Sequence, residues 1–134
     1  MERLRIDRIT GPPGVLVSTG GRIVCARCHR ANTRLGRLVG LLATPDLSPG
    51  EGVWIERCAS VHAIGLRAPV GCAFLDAGGR VLRVVDPLPR GRIAAARGAR
   101  SVVECRAGSL AGLAPGDVLV LAPAAKSPLG AADL

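Results

Sequence analysis

Thiols and an imidazole crowd into one pentapeptide, Cys25-Ala26-Arg27-Cys28-His29, whose spacing is that of a covalent haem attachment. Attachment needs an axial ligand opposite the histidine, and the chain offers only His62 and the initiator Met1. It also belongs to exported proteins, whereas Met1 to Thr10 mixes acidic and basic residues where a signal peptide needs an apolar core. Zinc is the second chemistry, because Cys25, Cys28, Cys58 and His62 form a Cys₃His set of suitable ligand types. Structural zinc sites use two knuckle-like pairs, however, and Cys58-x-x-x-His62 lies in strand-like sequence. If Arg22 to His29 is a strand, alternation sends Cys25 and Cys28 to opposite faces. The expectation is therefore buried thiols with no metal and no cofactor, and the odd count of five cysteines excludes a complete disulfide framework.

His62 is the other titratable candidate. In a strand from Val61 to Arg67 it shares a face with Ile64 and Leu66, while Arg67 falls opposite with Val61 and Ala63. Such a histidine is either a satisfied core residue or a proton carrier at the rim of a pocket. The catalytic reading gathers His62 as base, Arg67 as anion anchor and Glu104 in one cleft. Against it, only His29 and His62 could serve a triad, no closely spaced acid pair suggests glycoside chemistry, and Gly20-Gly21 and Gly78-Gly79 lack a phosphate-loop pattern. These residues favour binding over catalysis.

Charge points the same way. The net charge is +8, and Lys126 is the only lysine, so arginine carries it. Guanidinium forks suit carboxylate and phosphate partners. Arg34 and Arg37, with Arg30 leading in, and a loop holding Arg90, Arg92, Arg97 and Arg100 are the basic surfaces. The expected binding residues are Arg34, Arg37, His62, Arg67, Arg90 and Arg92, and the expected partner is an acidic protein segment or another anion. With no Tyr, one Phe (Phe74) and one Trp (Trp54), the chain cannot build a base-stacking platform, which leaves duplex nucleic acid as a weak secondary partner. No apolar run approaches the about 18 residues that span a bilayer, so a cytoplasmic protein is expected.

The positioning elements read mostly as strands: Leu4 to Ile9, Gly14 to Ser18, Arg22 to His29, Val61 to Arg67, Val70 to Asp76, Arg80 to Asp86, Ser101 to Arg106 and Asp117 to Leu121. Asp76-Ala77-Gly78-Gly79 is a hairpin signal. Leu35, Leu38, Val39 and Leu42 recur at helical spacing, with Asn32 or Thr33 as cap and Pro45 as stop. The expected fold is α+β and predominantly antiparallel: a barrel-like or sandwich-like sheet, one main helix near 32–42 and a short helix near 109–114. Residues 1–121 form the expected domain, and 122–134 a flexible tail.

Several pieces occur in a familiar order: Arg37, Gly40, Leu41 and Leu42; Ser60 to Asp76; Val102-Val103-Glu104; and Gly116-Asp117. Over roughly residues 4–121 the set resembles an uncharacterised prokaryotic family, the ACR family or domain of unknown function 192. The resemblance implies a compact, mostly antiparallel β fold with one main helix and no settled activity. It also implies relatives both exported and cytoplasmic, some near pilus or secretion genes. This chain departs from the pattern at Gly71, where relatives carry aspartate, at Leu66, which replaces methionine, and at Ala43 to Pro45, which lack an arginine.

Overall fold

Short runs of Val, Ile, Leu and Cys between glycine turns become nine strands in the computed structural model, which describes residues 13–31, 47–62, 70–89 and 91–123. They are β1 (Gly14–Ser18), β2 (Ile23–Ala31), β3 (Glu51–Glu56), β4 (Ser60–His62), β5 (Val70–Leu75), β6 (Val81–Leu88), β7 (Ile93–Ala95), β8 (Ser101–Arg106) and β9 (Leu119–Pro123). Seven form one sheet in the order β6-β5-β8-β3-β2-β1-β9, and β4 pairs with β7 in a separate ribbon. Every pairing is antiparallel except β2 with β3, so the large sheet is mixed.

The sheet curls until its two edges touch. Arg80, just before β6, bridges Val118, just before β9. The Val81 amide donates to the Asp117 carbonyl at 2.7 Å, and the Gly116 amide donates to the Val81 carbonyl at 2.8 Å. Closure of this kind removes the exposed edges that invite pairing with other chains. Leu16, Val24, Cys25, Cys28, Ala73, Leu75, Val81, Val103, Cys105 and Leu119 converge from six strands on the interior. The opposite face of β5 and β8 is covered too: Val70, Cys72, Phe74 and Val102 pack with Val61 of β4 and Ala94 of β7. Hence all six residues of β5 are buried, the pattern of a strand covered on both sides.

The α+β expectation is overturned, since the described residues are all-β. The segment expected to be helical near 109–114 forms turns, because Gly108 and Gly112 both take positive φ (93° and 87°), which no α-helix accommodates. The main helix expected at 32–42 lies outside the described residues, as does the strand expected at Leu4 to Ile9. Beyond the domain limit placed at residue 121, Ala122 and Pro123 still belong to β9 and pair with Val15 and Gly14.

Strand alternation fails at the cysteines. Between Leu16↔Cys25 and Gly14↔Cys28 the β1 strand advances by two residues while β2 advances by three, a β-bulge. The extra residue turns Cys25 and Cys28 to the same side, and both join the interior core.

Candidate functional site

Past the packed interior, the barrel opens into a cleft of about 690 Å³. Its walls follow from strand parity. Trp54 and Glu56 lie two and four residues beyond Gly52 in β3, Arg30 lies two beyond Cys28 in β2, and Ser101 lies two before Val103 in β8. Each therefore continues an inward-facing row after the core has ended. Arg57, Cys58, Asp76 and Arg100 come from the connections around the rim.

The lining acids are already engaged. Arg30 Nε donates to Glu56 Oε1 at 2.6 Å, and its Nη2 reaches the same oxygen. Asp76 Oδ1 accepts the Gly78 and Arg80 amides, both at 2.9 Å, and so holds the β5–β6 hairpin. Arg57 and Arg100 form no ion pair among the described residues and are exposed. They are tied together by the backbone, since the Cys58 amide donates to the Arg100 carbonyl at 3.2 Å. Arg57 has φ of 55°, the only non-glycine positive φ among the described residues. A branched-free but Cβ-bearing residue pays conformational strain there, of a kind that gathers at ligand-contacting positions.

Below the cleft lies a cluster of thiols. Cys25 and Cys105 place their sulfurs 2.8 Å apart, reaching over Gly52 from the strands on either side of β3. A Cβ at Gly52 would stand 2.7 Å from Cys25 Sγ and 3.0 Å from Cys105 Sγ, so only glycine leaves this space open. Hydrogen bonds from Cys105 and then Cys28 pull the Cys25 thiol down, whereas the bond to Cys25 and burial push both Cys28 and Cys105 up. A negative charge on one of these thiols therefore disfavours a second on its neighbours.

The outer face carries a second polar row. His29, Val53, Glu104 and Cys72 stand side by side across β2, β3, β8 and β5. His29 Nε2 pairs with Glu51 at 3.4 Å, and its buried Nδ1 has no hydrogen-bond partner among the described residues. Burial first, and then the Glu104 charge, push the Cys72 thiol up to about 12. No group of three or more Cys, His, Asp or Glu among the described residues is arranged to hold a metal ion.

Gly71 is explained by its neighbour. A Cβ there would lie 2.6 Å from Cγ and 2.7 Å from Oδ1 of Asp86, whose carboxylate fills the space. Asp86, expected at a strand end, instead lies within β6 and accepts the Gly108 amide at 2.8 Å and the Leu110 amide at 3.0 Å. A carboxylate thus stands over position 71, supplied from β6.

Of the residues singled out by sequence, Arg34, Arg37, Arg67 and Arg90 lie outside the described residues. His62 ends β4 opposite Ile93, and only its backbone is described. Arg92 is exposed before β7 and does not line the cleft. Glu104 is buried in the sheet and is not among the cleft residues. Arg30 and Arg100, from the two separate basic segments, do meet at the cleft. Sequence reasoning missed Trp54, Glu56 and Arg57 there. The signal was the Val53-x-Ile55 alternation, which makes Trp54 and Glu56 one face of an unrecognised strand.

Fold and site together define a small closed β-barrel with a cationic mouth and a glycine-spaced interior. The chain belongs to the uncharacterised ACR family, domain of unknown function 192, whose model matches residues 15–121. Two crystal structures share the fold. One is a protein of unknown function from Novosphingobium aromaticivorans, with 23% identity, a TM-score of 0.66, and coverage of 81% of this chain and 83% of that one. The other is described as a putative transcription regulator from Sinorhizobium meliloti, with 20% identity, a TM-score of 0.67, and coverage of 82% and 92%. No curated protein matches the chain. Among the described residues, no helix is long and apolar enough to cross a membrane.

Proposed function

We propose that this protein is a non-catalytic binding module that takes an acidic peptide segment of a partner protein at the mouth of its barrel. The observation that carries this reading is the electrostatic state of the cleft. Arg30 and Arg100 arrive from distant segments, Arg57 stands beside Arg100, and both lining carboxylates are occupied by internal partners. Among the described residues Arg57 and Arg100 are then the open cations of the cleft, and their planar forks suit carboxylates. The mouth of a small barrel is a common ligand position, and Trp54 offers an apolar wall within it.

Trp54 also supplies the assay, being the only tryptophan. Titration with a glutamate-rich peptide should change its fluorescence, and the affinity should fall with salt as expected for charge pairing. Arg57→Gln with Arg100→Gln should weaken binding at least about tenfold, the loss of roughly 1.4 kcal/mol. Arg92→Gln with Arg97→Gln, on exposed positions away from the cleft, should leave it unchanged. Equal losses from the two double variants would replace the cleft with a diffuse basic surface.

A further inference from the structure

The interior thiols have no part in the reading of the cleft, and their geometry stands independently of it. We propose that Cys25 and Cys105 are a disulfide-forming pair, a covalent cross-link from β2 to β8 across β3. Their sulfurs are 2.8 Å apart, inside ordinary van der Waals contact and about 0.8 Å from bonding distance. The approach is built into three strands. The β2 bulge turns Cys25 inward, Cys105 stands in register with Gly52, and Gly52 withholds the side chain that would part them.

The remaining cysteines lack this arrangement. Cys72 belongs to the opposite face of β5, with Phe74 and Val102. Cys58 lies at the rim and donates to the Ser60 carbonyl at 3.1 Å. Cys28 touches the cluster, yet its sulfur has the His29 carbonyl at 3.9 Å and stands on the same strand as Cys25.

The oxidant class is a low-molecular-weight disulfide, represented by glutathione disulfide. The Cys25 thiolate attacks one sulfur and releases one glutathione thiolate. Cys105, giving up its proton, then attacks Cys25 sulfur in the mixed disulfide and releases the second glutathione. Two protein thiols lose two electrons and two protons, and one glutathione disulfide becomes two glutathiones. Both sulfurs are sealed in the closed barrel, at 1% and 0% exposure, so exchange occurs while the barrel is open during folding.

The test is refolding of the full chain from urea in glutathione buffers of graded potential, followed by acid quench, alkylation under denaturing conditions and mass spectrometry. The proposal expects a species two mass units lighter with three of its five cysteines alkylated, and a cross-linked peptide containing Cys25 and Cys105. Cys58→Ser should form it equally, and Cys105→Ser should not. Five alkylated cysteines at every potential would overturn it. So would a bridge mapped to Cys25 and Cys28, or a glutathione adduct at Cys58 as the sole product. The wild-type map decides the question even if Cys105→Ser folds poorly.

Discussion

Replacing Gly71 by alanine is a single-methyl change whose cost follows from what surrounds it. The new Cβ would stand 2.6 Å from Asp86 Cγ, 2.7 Å from Oδ1 and 3.0 Å from Cβ, so the Asp86 side chain must leave. In leaving, it gives up the Gly108 and Leu110 amides. A hydrogen bond to a charged group contributes about 1.5–3 kcal/mol. Gly108 is exposed and water replaces the carboxylate there, whereas Leu110 is buried and its amide is stranded. The combined loss should be about 2–3 kcal/mol, which lowers the melting temperature by roughly 7–11 °C in a chain of this size. Asp86→Ala should cost nearly the same, because it removes the same two bonds. The double variant should cost no more than Asp86→Ala alone, as the alanine methyl then occupies vacated space. That is a coupling of about 2 kcal/mol, well beyond additivity error. Urea unfolding followed by Trp54 emission measures all four corners of the cycle. A Gly71→Ala loss below about 0.5 kcal/mol, or losses that simply add, would falsify the claim that Asp86 fills this space. Aspartate at position 71 without a change at Asp86 should be worse than alanine, since two carboxylates would then share one site.

Arg57→Gly should raise stability by about 1 kcal/mol, because glycine accepts φ of 55° without strain, while weakening peptide binding; a thermal melt and a Trp54 titration on the same sample check both signs. Cys72, with its thiol pushed up to about 12, favours the fold fully below pH 9 and progressively less as pH rises from 9 toward 12. In Cys72→Ala the alkaline slope of unfolding free energy should flatten by about 1.4 kcal/mol per pH unit, read from urea curves at pH 8.5, 9.5 and 10.5. The difference between the two slopes isolates Cys72, because the other four thiols are common to both proteins. Arg30→Gln should cost under about 1 kcal/mol, since its pair with Glu56 is largely exposed, and a larger fall in the urea midpoint would contradict that.

Strands with Val and Leu at alternate positions were readable: Gly14 to Ser18 and Ser101 to Arg106 coincide with β1 and β8. The hairpin at Asp76 was readable too, because its side chain and Gly79, at φ of 82°, are what such a turn requires. β3 was not, although it is the strand on which the parallel pairing rests. Its six residues include Gly52 and end in glutamates, so the apolar signal is short. β7 hid in an arginine-rich stretch because only Ala94 of its three residues is buried. The helical reading near 109–114 gave no weight to Gly112, whose backbone conformation decided the matter. The bulge in β2 leaves no mark in composition, which is why alternation misplaced Cys28. At the cleft, Arg30 and Arg100 were visible as charges, but their meeting depends on strand order, and β3 between β2 and β8 was the missing link.

β1 lies between β2 and β9, with Gly14 opposite Pro123 in its register with the last strand. On a ribosome, β1 through β3 emerge with raw edges long before β8 and β9 exist to cover them. β5 and β6 are adjacent in sequence and can join early as a hairpin, whereas β3 must wait for β8 and β1 for β9. Synthesis order and sheet order are therefore at odds, and the barrel takes shape only when its final strand has left the exit tunnel. A nascent chain halted before Leu119 holds every inward residue of β1 to β8 and still lacks the strand that pairs along β1.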